Sequence, residues 1–166
     1  VRMFIVRRKR SQIAFFFTRI GQLPPSLALL ACERGKLVAF HALIVDDSSA
    51  VRAFVRASLE DAGFARVQEA ETGFEALRLL TSNAFDVVIV DVNMPDINGL
   101  ELLAFMNKSP RQQAARKILI STQVDGPDSK RGLELGADAY LSKPFDIAQL
   151  RALVSELLAP AGEVSG

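Results

Sequence analysis

Three carboxylates, a hydroxyl and a lysine each follow a short apolar run in this sequence. Asp46 and Asp47 end ALIV at 42–45, and Asp91 ends DVVIV at 86–90. Ser121 ends KILI at 117–120, and Lys143 ends AYLS at 139–142. Carboxylates about 4 Å apart at an effective dielectric near 20 repel by about 4 kcal/mol per pair. A divalent cation removes that cost, and an all-oxygen set with open positions suits Mg²⁺, which keeps waters and accepts phosphate oxygens. No Cys/His cluster in the sequence invites zinc. A carboxylate in such a place can act as a nucleophile and become an acyl phosphate. Phosphoryl transfer asks for in-line positioning and stabilised equatorial oxygens. Lys143 offers a point charge for one oxygen and Ser121 a hydroxyl donor for another. Together these groups describe a site that takes phosphate onto its own aspartate.

Such a site needs an element order that brings four separate stretches to one place. From Phe40 the chain alternates strand and helix five times, the pattern of a doubly wound α/β sheet. In that architecture ligands sit outside the carboxyl ends of the strands. The first helix follows Ser48–Ser49, presents Val51, Phe54, Val55 and Leu59 on one face, and stops at Gly63. Arg66–Glu69 is a short second strand. Thr72 with Glu75 three residues on predicts a capped second helix with Phe74, Leu77 and Leu80 inward. Asp86–Val90 is apolar without alternation, as a central strand covered on both faces should be. Asn98–Gly99 opens a third helix, 107–116 reads as a polar connection, and a short fourth helix stops at Gly136. Asp146 with Gln149 caps the fifth, whose inner face is Leu150, Leu153, Val154, Leu157 and Leu158.

The chain has 166 residues and is 49% hydrophobic, enough for one sizeable core, with no apolar run long enough to span a bilayer. A single cysteine excludes an intrachain disulfide framework and suits a reducing cytoplasm. Charge divides the chain unevenly. Residues 1–37 carry eight basic side chains against Glu33 alone, whereas the remainder carries 12 basic and 18 acidic ones. A net negative domain is a poor ligand for DNA. The basic leader has three readings. It is a stretch preceding a true start at Val38, a disordered or surface-binding basic tail, or, through Leu29-Leu30-Ala31-Cys32, a lipoprotein signal. Arg19 and Pro24–Pro25 split its apolar stretch and count against export. The expected division is therefore a non-structural leader over 1–37, one domain over 38–160 and a short tail over 161–166.

In combination these motifs resemble the receiver domain of bacterial response regulators over about residues 39–159. Asp46–Asp47 are similar to that family's acidic Mg²⁺ ligands, and Asp91, within VIVDVNMPDINGLELL, to its phosphoacceptor. The resemblance further implies that Asn93 gives its backbone carbonyl to the metal and that Ser121 is the conformational hydroxyl. Lys143–Pro144 is similar to the family's lysine and the proline after it, whose peptide bond is usually cis. Tyr140 stands where the family has an aromatic that turns inward on activation. Asn93 and Gln123 fall at two positions that tune dephosphorylation, and two uncharged amides there supply no acid or base to a hydrolytic water. Thr122 departs from the small residue usual after the switch hydroxyl, and is the alternative switch residue if Ser121 is not. The implied fold is a five-stranded parallel sheet of order 2-1-3-4-5, a flavodoxin-like, CheY-like three-layer sandwich.

Each motif alone has a structural reading. The acid pair suits a helix start, 91–99 suits a turn, and Lys143 suits a solvated surface; His41, inside the first strand and without a ligand partner, is read as structural. It is their joint placement that points to function. The resemblance implies a stand-alone, cytoplasmic member of a two-component system. Such a protein takes phosphate from a histidine kinase and catalyses only its own phosphorylation and dephosphorylation. It would then change the face made by the fourth helix, fifth strand and fifth helix. The partner on that face is a downstream target, as in chemotaxis, or a histidine phosphotransferase of a phosphorelay; neither nucleic acid nor membrane is expected. The competing reading is a Mg²⁺-dependent phosphohydrolase with an aspartyl-phosphate intermediate. It fits less well, because Asp46-Asp47-Ser48 lacks the spacing such enzymes place after their first strand.

Overall fold

The computed structural model describes residues 3–5, 30–33, 36–122 and 127–158. Among these, three short strands come first: β1 (Met3–Ile5), β2 (Leu30–Glu33) and β3 (Lys36–Ala39). The alternating part follows as β4 (His41–Val45), α1 (Ser49–Asp61), β5 (Arg66–Ala70), α2 (Gly73–Ser82) and β6 (Val87–Asp91). It continues through α3 (Gly99–Lys108), a 3₁₀ turn (Pro110–Gln112), β7 (Arg116–Ser121), α4 (Pro127–Glu134), β8 (Ala139–Ser142) and α5 (Ile147–Leu158).

Strands β4 to β8 pair in parallel in the order β5-β4-β6-β7-β8, which is the expected 2-1-3-4-5 arrangement. Successive residues point to opposite faces of a strand, and the chain covers both. Ala42, Ile44, Ile89, Ile118, Ile120 and Leu141 pack against α1 and α5 through Val55, Leu59, Leu150, Leu153 and Val154. Leu43, Val45, Val88, Val90, Leu119 and Tyr140 pack on the other side against Ala76, Leu80, Leu102, Leu103 and Met106. Every residue of β4 and β6 is buried, which is why their sequences lack a polar alternation.

The sheet has a sixth strand outside that set. β1 pairs antiparallel with β8, Phe4 opposite Tyr140, while β2 and β3 form a separate antiparallel pair. These three strands begin inside the basic stretch that the sequence reading sets apart from the domain. Among the described residues, no helix is long and apolar enough to cross a membrane.

Local chemistry fixes the helix starts that flank the sheet's carboxyl edge. Ser48 Oγ accepts from Val51 N at 3.5 Å to cap α1. Asn98 and Glu101 form a reciprocal capping box at α3. Asp146 Oδ1 accepts from Gln149 N at 2.8 Å, while Gln149 Oε1 accepts from Asp146 N at 2.9 Å. Thr72 caps α2 as expected, but Glu75 turns to the Glu71 N–H and not to that of Thr72. Phe74 also differs from expectation. It is 69% exposed, because the α2 helix begins at Gly73 and its buried line runs through Gly73, Ala76 and Leu80.

Candidate active site

Four parallel strands end side by side, and each delivers one of the groups singled out above. Val45 of β4 is in register with Val90 of β6, so Asp46 and Asp91 stand at neighbouring strand ends. Asp91 is in register with Ile120 of β7, which puts Ser121 one residue further, opposite Ser142 of β8 and next to Lys143. Ligand oxygens of Asp46, Asp47 and Asp91 all lie within 4.8 Å of one another. Asp46 and Asp91 are buried and Asp47 is exposed, so the trio opens to solvent on one side.

Lys143 ties the cluster together. Its Nζ lies 2.8 Å from Asp46 Oδ2 and 3.1 Å from Asp91 Oδ2. Asp46 Oδ1 accepts from Ser48 N at 2.9 Å, which fixes the carboxylate from the α1 side. Asp91 Oδ1 accepts a long hydrogen bond from Asn93 N, at 3.4 Å. Burial pushes the Asp91 carboxyl above the ordinary carboxylate range; the Lys143 charge and hydrogen bond pull it down, and Asp46 adds to the rise. For Lys143 burial opposes the charge, yet the Asp46 hydrogen bond and the Asp91 carboxylate outweigh it, and the amine is raised. Burial weighs more on Asp91 than the shared ammonium returns, whereas at Lys143 two carboxylates outweigh burial. The ammonium is therefore firmly charged and the acid poorly compensated.

Ser121 is buried and its hydroxyl accepts from Asn93 Nδ2 at 3.1 Å. Thr122, the alternative hydroxyl, is exposed. It lines a cavity of about 420 Å³ beside the site, together with Ala50, Val51, Phe54, Lys143, Pro144 and Phe145. The Lys143–Pro144 peptide is cis. Tyr140 is fully buried on the sheet face covered by α2 and α3. Gln123 lies outside the described residues. His41, read as structural, is buried at the opposite end of β4 with its ring centroid 4.4 Å from that of Phe85.

The donors fit Mg²⁺: three hard carboxylate oxygens at one opening, with no nitrogen or sulfur ligand in the cluster. Sequence reasoning missed Arg52. It is buried on α1, and its Nη1 donates to the Asp46 carbonyl at 2.7 Å. The only signal for it was a charge five residues past Asp47, on a helix turn flanked by Val51 and Val55. Gly99 was visible as a helix start, but not as the close neighbour of Asp91. A Cβ there would fall 2.4 Å from the Asp91 carbonyl oxygen.

Comparison with known proteins agrees with this geometry. The sequence profile described as "Response regulator receiver domain" matches residues 42–155. The chain is 37% identical over 117 residues to the response regulator Rre1 of Synechocystis sp., a match covering 70% of this chain and 51% of that protein. It is also 37% identical over 123 residues to the transcriptional regulatory protein PrrA of Mycobacterium tuberculosis, covering 74% and 52%. The chain thus spans about half the length of these curated relatives. Among solved structures, the chemotaxis response regulator CheY4 of Vibrio cholerae superposes with a TM-score of 0.68 at 31% identity, covering 73% of this chain and 100% of that one. Nothing in these comparisons favours a phosphohydrolase. With its strand order, its acidic trio and its lysine in place, the chain belongs to the response regulator receiver domain family.

Proposed function

We propose that this chain is a phosphoacceptor switch of a two-component pathway. An Asp91 carboxylate oxygen attacks the phosphorus of a phosphohistidine on a histidine kinase. The P–N bond breaks as the Asp91 O–P bond forms, and the departing imidazole takes up a proton. The observation that supports this best is the single ammonium of Lys143 within reach of both Asp46 and Asp91 at the mouth of the sheet. Mg²⁺, held by Asp46, Asp47, Asp91 and the Asn93 main-chain carbonyl, would neutralise charge developing on the phosphoryl oxygens.

Lys143 then exchanges its Asp91 contact for a phosphoryl oxygen, and Ser121 turns its hydroxyl to donate to another. Tyr140 lies on the strand next to Ser121, and its buried position is the one that a phosphate on Asp91 would favour. The face made by α4, β8 and α5 carries the change to a protein partner: a downstream target, a flagellar component among the possibilities, or a histidine phosphotransferase. Thr122 at the rim narrows access to the phosphoryl group, and Asn93 and Gln123 give the hydrolytic water no base. The reaction is confined to the protein's own aspartate, in the cytoplasm. The basic stretch over 1–37 is proposed to play no part in this chemistry.

The test is intact mass after incubation with Mg²⁺ and acetyl phosphate. The parental chain gains one phosphoryl group, and Asp91→Ala gains none. Labelling that survives Asp91→Ala refutes the assignment.

A further inference from the structure

Strand β4 ends at Val45, so the Asp46 carbonyl leaves the sheet without a ladder partner, although the Asp46 N–H still donates to Ala70 O at 3.2 Å. A buried carbonyl must find a donor elsewhere. It finds Arg52, whose Nη1 stands 2.7 Å away. The same guanidinium donates from Nε to Glu69 Oε2 at 3.1 Å and from Nη2 to Glu71 Oε2 at 3.5 Å. Glu69 is held in turn through its other oxygen by Arg56. Arg52 is itself buried. Burying an arginine is costly unless its donors are met, and its planar fork satisfies several acceptors in one fixed geometry.

The Asp46 carbonyl belongs to the peptide that joins Asp46 to Asp47, and that peptide is planar. Fixing its oxygen fixes the direction in which Asp47 departs. We infer that Arg52 is a positioning residue: by holding the 46–47 peptide against the end of β5, it sets the spacing of the acid pair and hence the affinity of the site for a divalent cation. This rests on the metal reading of the acidic trio given under Proposed function. Glu69 and Glu71 orient the guanidinium and are not members of the Asp46, Asp47 and Asp91 cluster.

Mn²⁺ titration followed by loss of the free-ion EPR signal, with Mg²⁺ competition, tests the inference on the full chain. The parental chain should bind one Mn²⁺ that Mg²⁺ displaces, and Arg52→Met should bind it about tenfold more weakly. Val154→Ala, a core truncation on α5, should lower the unfolding temperature and leave the Mn²⁺ affinity unchanged, which separates positioning from general destabilisation. Equal affinity in parental and Arg52→Met chains overturns the inference while leaving the metal site standing. Absence of binding in the parental chain overturns both. Should Arg52→Met not fold, Arg52→Lys carries the test. A lysine ammonium lacks the planar fork that meets the Asp46 carbonyl, Glu69 and Glu71 in one fixed geometry, so weaker binding is expected, and parental affinity overturns the inference.

Discussion

The side-chain amide of Asn93 donates to the Ser121 hydroxyl over 3.1 Å, so two residues from different strand ends are joined across the mouth of the site. On the proposed reading, a Ser121 side chain that swings toward a phosphoryl group on Asp91 carries its oxygen away from the Asn93 amide. A neutral hydrogen bond contributes about 1 kcal/mol net, about fivefold in an equilibrium. Asn93→Ala should therefore raise the phosphorylated fraction at limiting acetyl phosphate by about that factor. Intact-mass measurement reads it directly, and a fraction equal to the parental one would show that the bond restrains nothing.

Lys143 is at once a counter-charge for two acids and a competitor of any cation that binds them. Lys143→Met should tighten Mg²⁺ binding, because Asp46 and Asp91 then face each other with no ammonium between them. The same change should slow labelling by acetyl phosphate at least about tenfold, the loss expected for a hydrogen bond to a charged oxygen. The two effects have opposite signs, so a variant that loses both affinity and rate would point to misfolding or to a different role for the lysine.

Gly99 begins α3 directly over the Asp91 main chain. A methyl group there would meet the Asp91 carbonyl oxygen at 2.4 Å and the Val92 Cα at 2.9 Å, and neither atom can turn aside as a side chain would. Gly99→Ala should cost about 1–3 kcal/mol in denaturant unfolding. It should also reduce labelling more than an equally destabilising change in α5.

His41 makes one contribution to the pH dependence of stability. Burial and the charge of Arg66 hold its imidazole below the ordinary value, against the Ala84 carbonyl, Asp86 and Gln68. A histidine depressed in the fold keeps its contribution above the unfolded value of about 6.5 and loses it as pH falls through the folded value. The parental chain should therefore lose stability relative to His41→Gln as pH falls from about 7 to about 5, read as the difference in unfolding temperature between the two. A difference that stays constant with pH would assign the dependence to other groups.

Much of this was legible in the sequence because local signals and tertiary demands agree. The apolar runs before Asp46, Asp91, Ser121 and Lys143 are strands, and Asn98 and Asp146 cap the helices they precede. What stayed hidden depends on contacts between distant stretches. Phe74 has the right spacing for an inward face, yet it lies exposed, since helical periodicity does not say which residue of the first turn reaches the sheet. Gln112 sits in a stretch read as polar surface, but its amide is fully buried and donates to the Leu80 and Asn83 carbonyls at 2.7 and 2.6 Å. Arg52 has the sequence signature of a solvated charge and only the fold turns it inward. The pairing of Met3–Ile5 with β8 likewise has no short-range signal.

Asp91 closes a strand that is hydrogen-bonded on both sides, to β4 and to β7, and is buried throughout. Displacing it would mean unzipping two ladders at once, whereas a hydroxyl or an amine beside it needs only to swing about its own single bonds. On the proposed reading, a phosphorylated Asp91 would be a stationary post, and information would leave by the migration of lighter neighbours toward it.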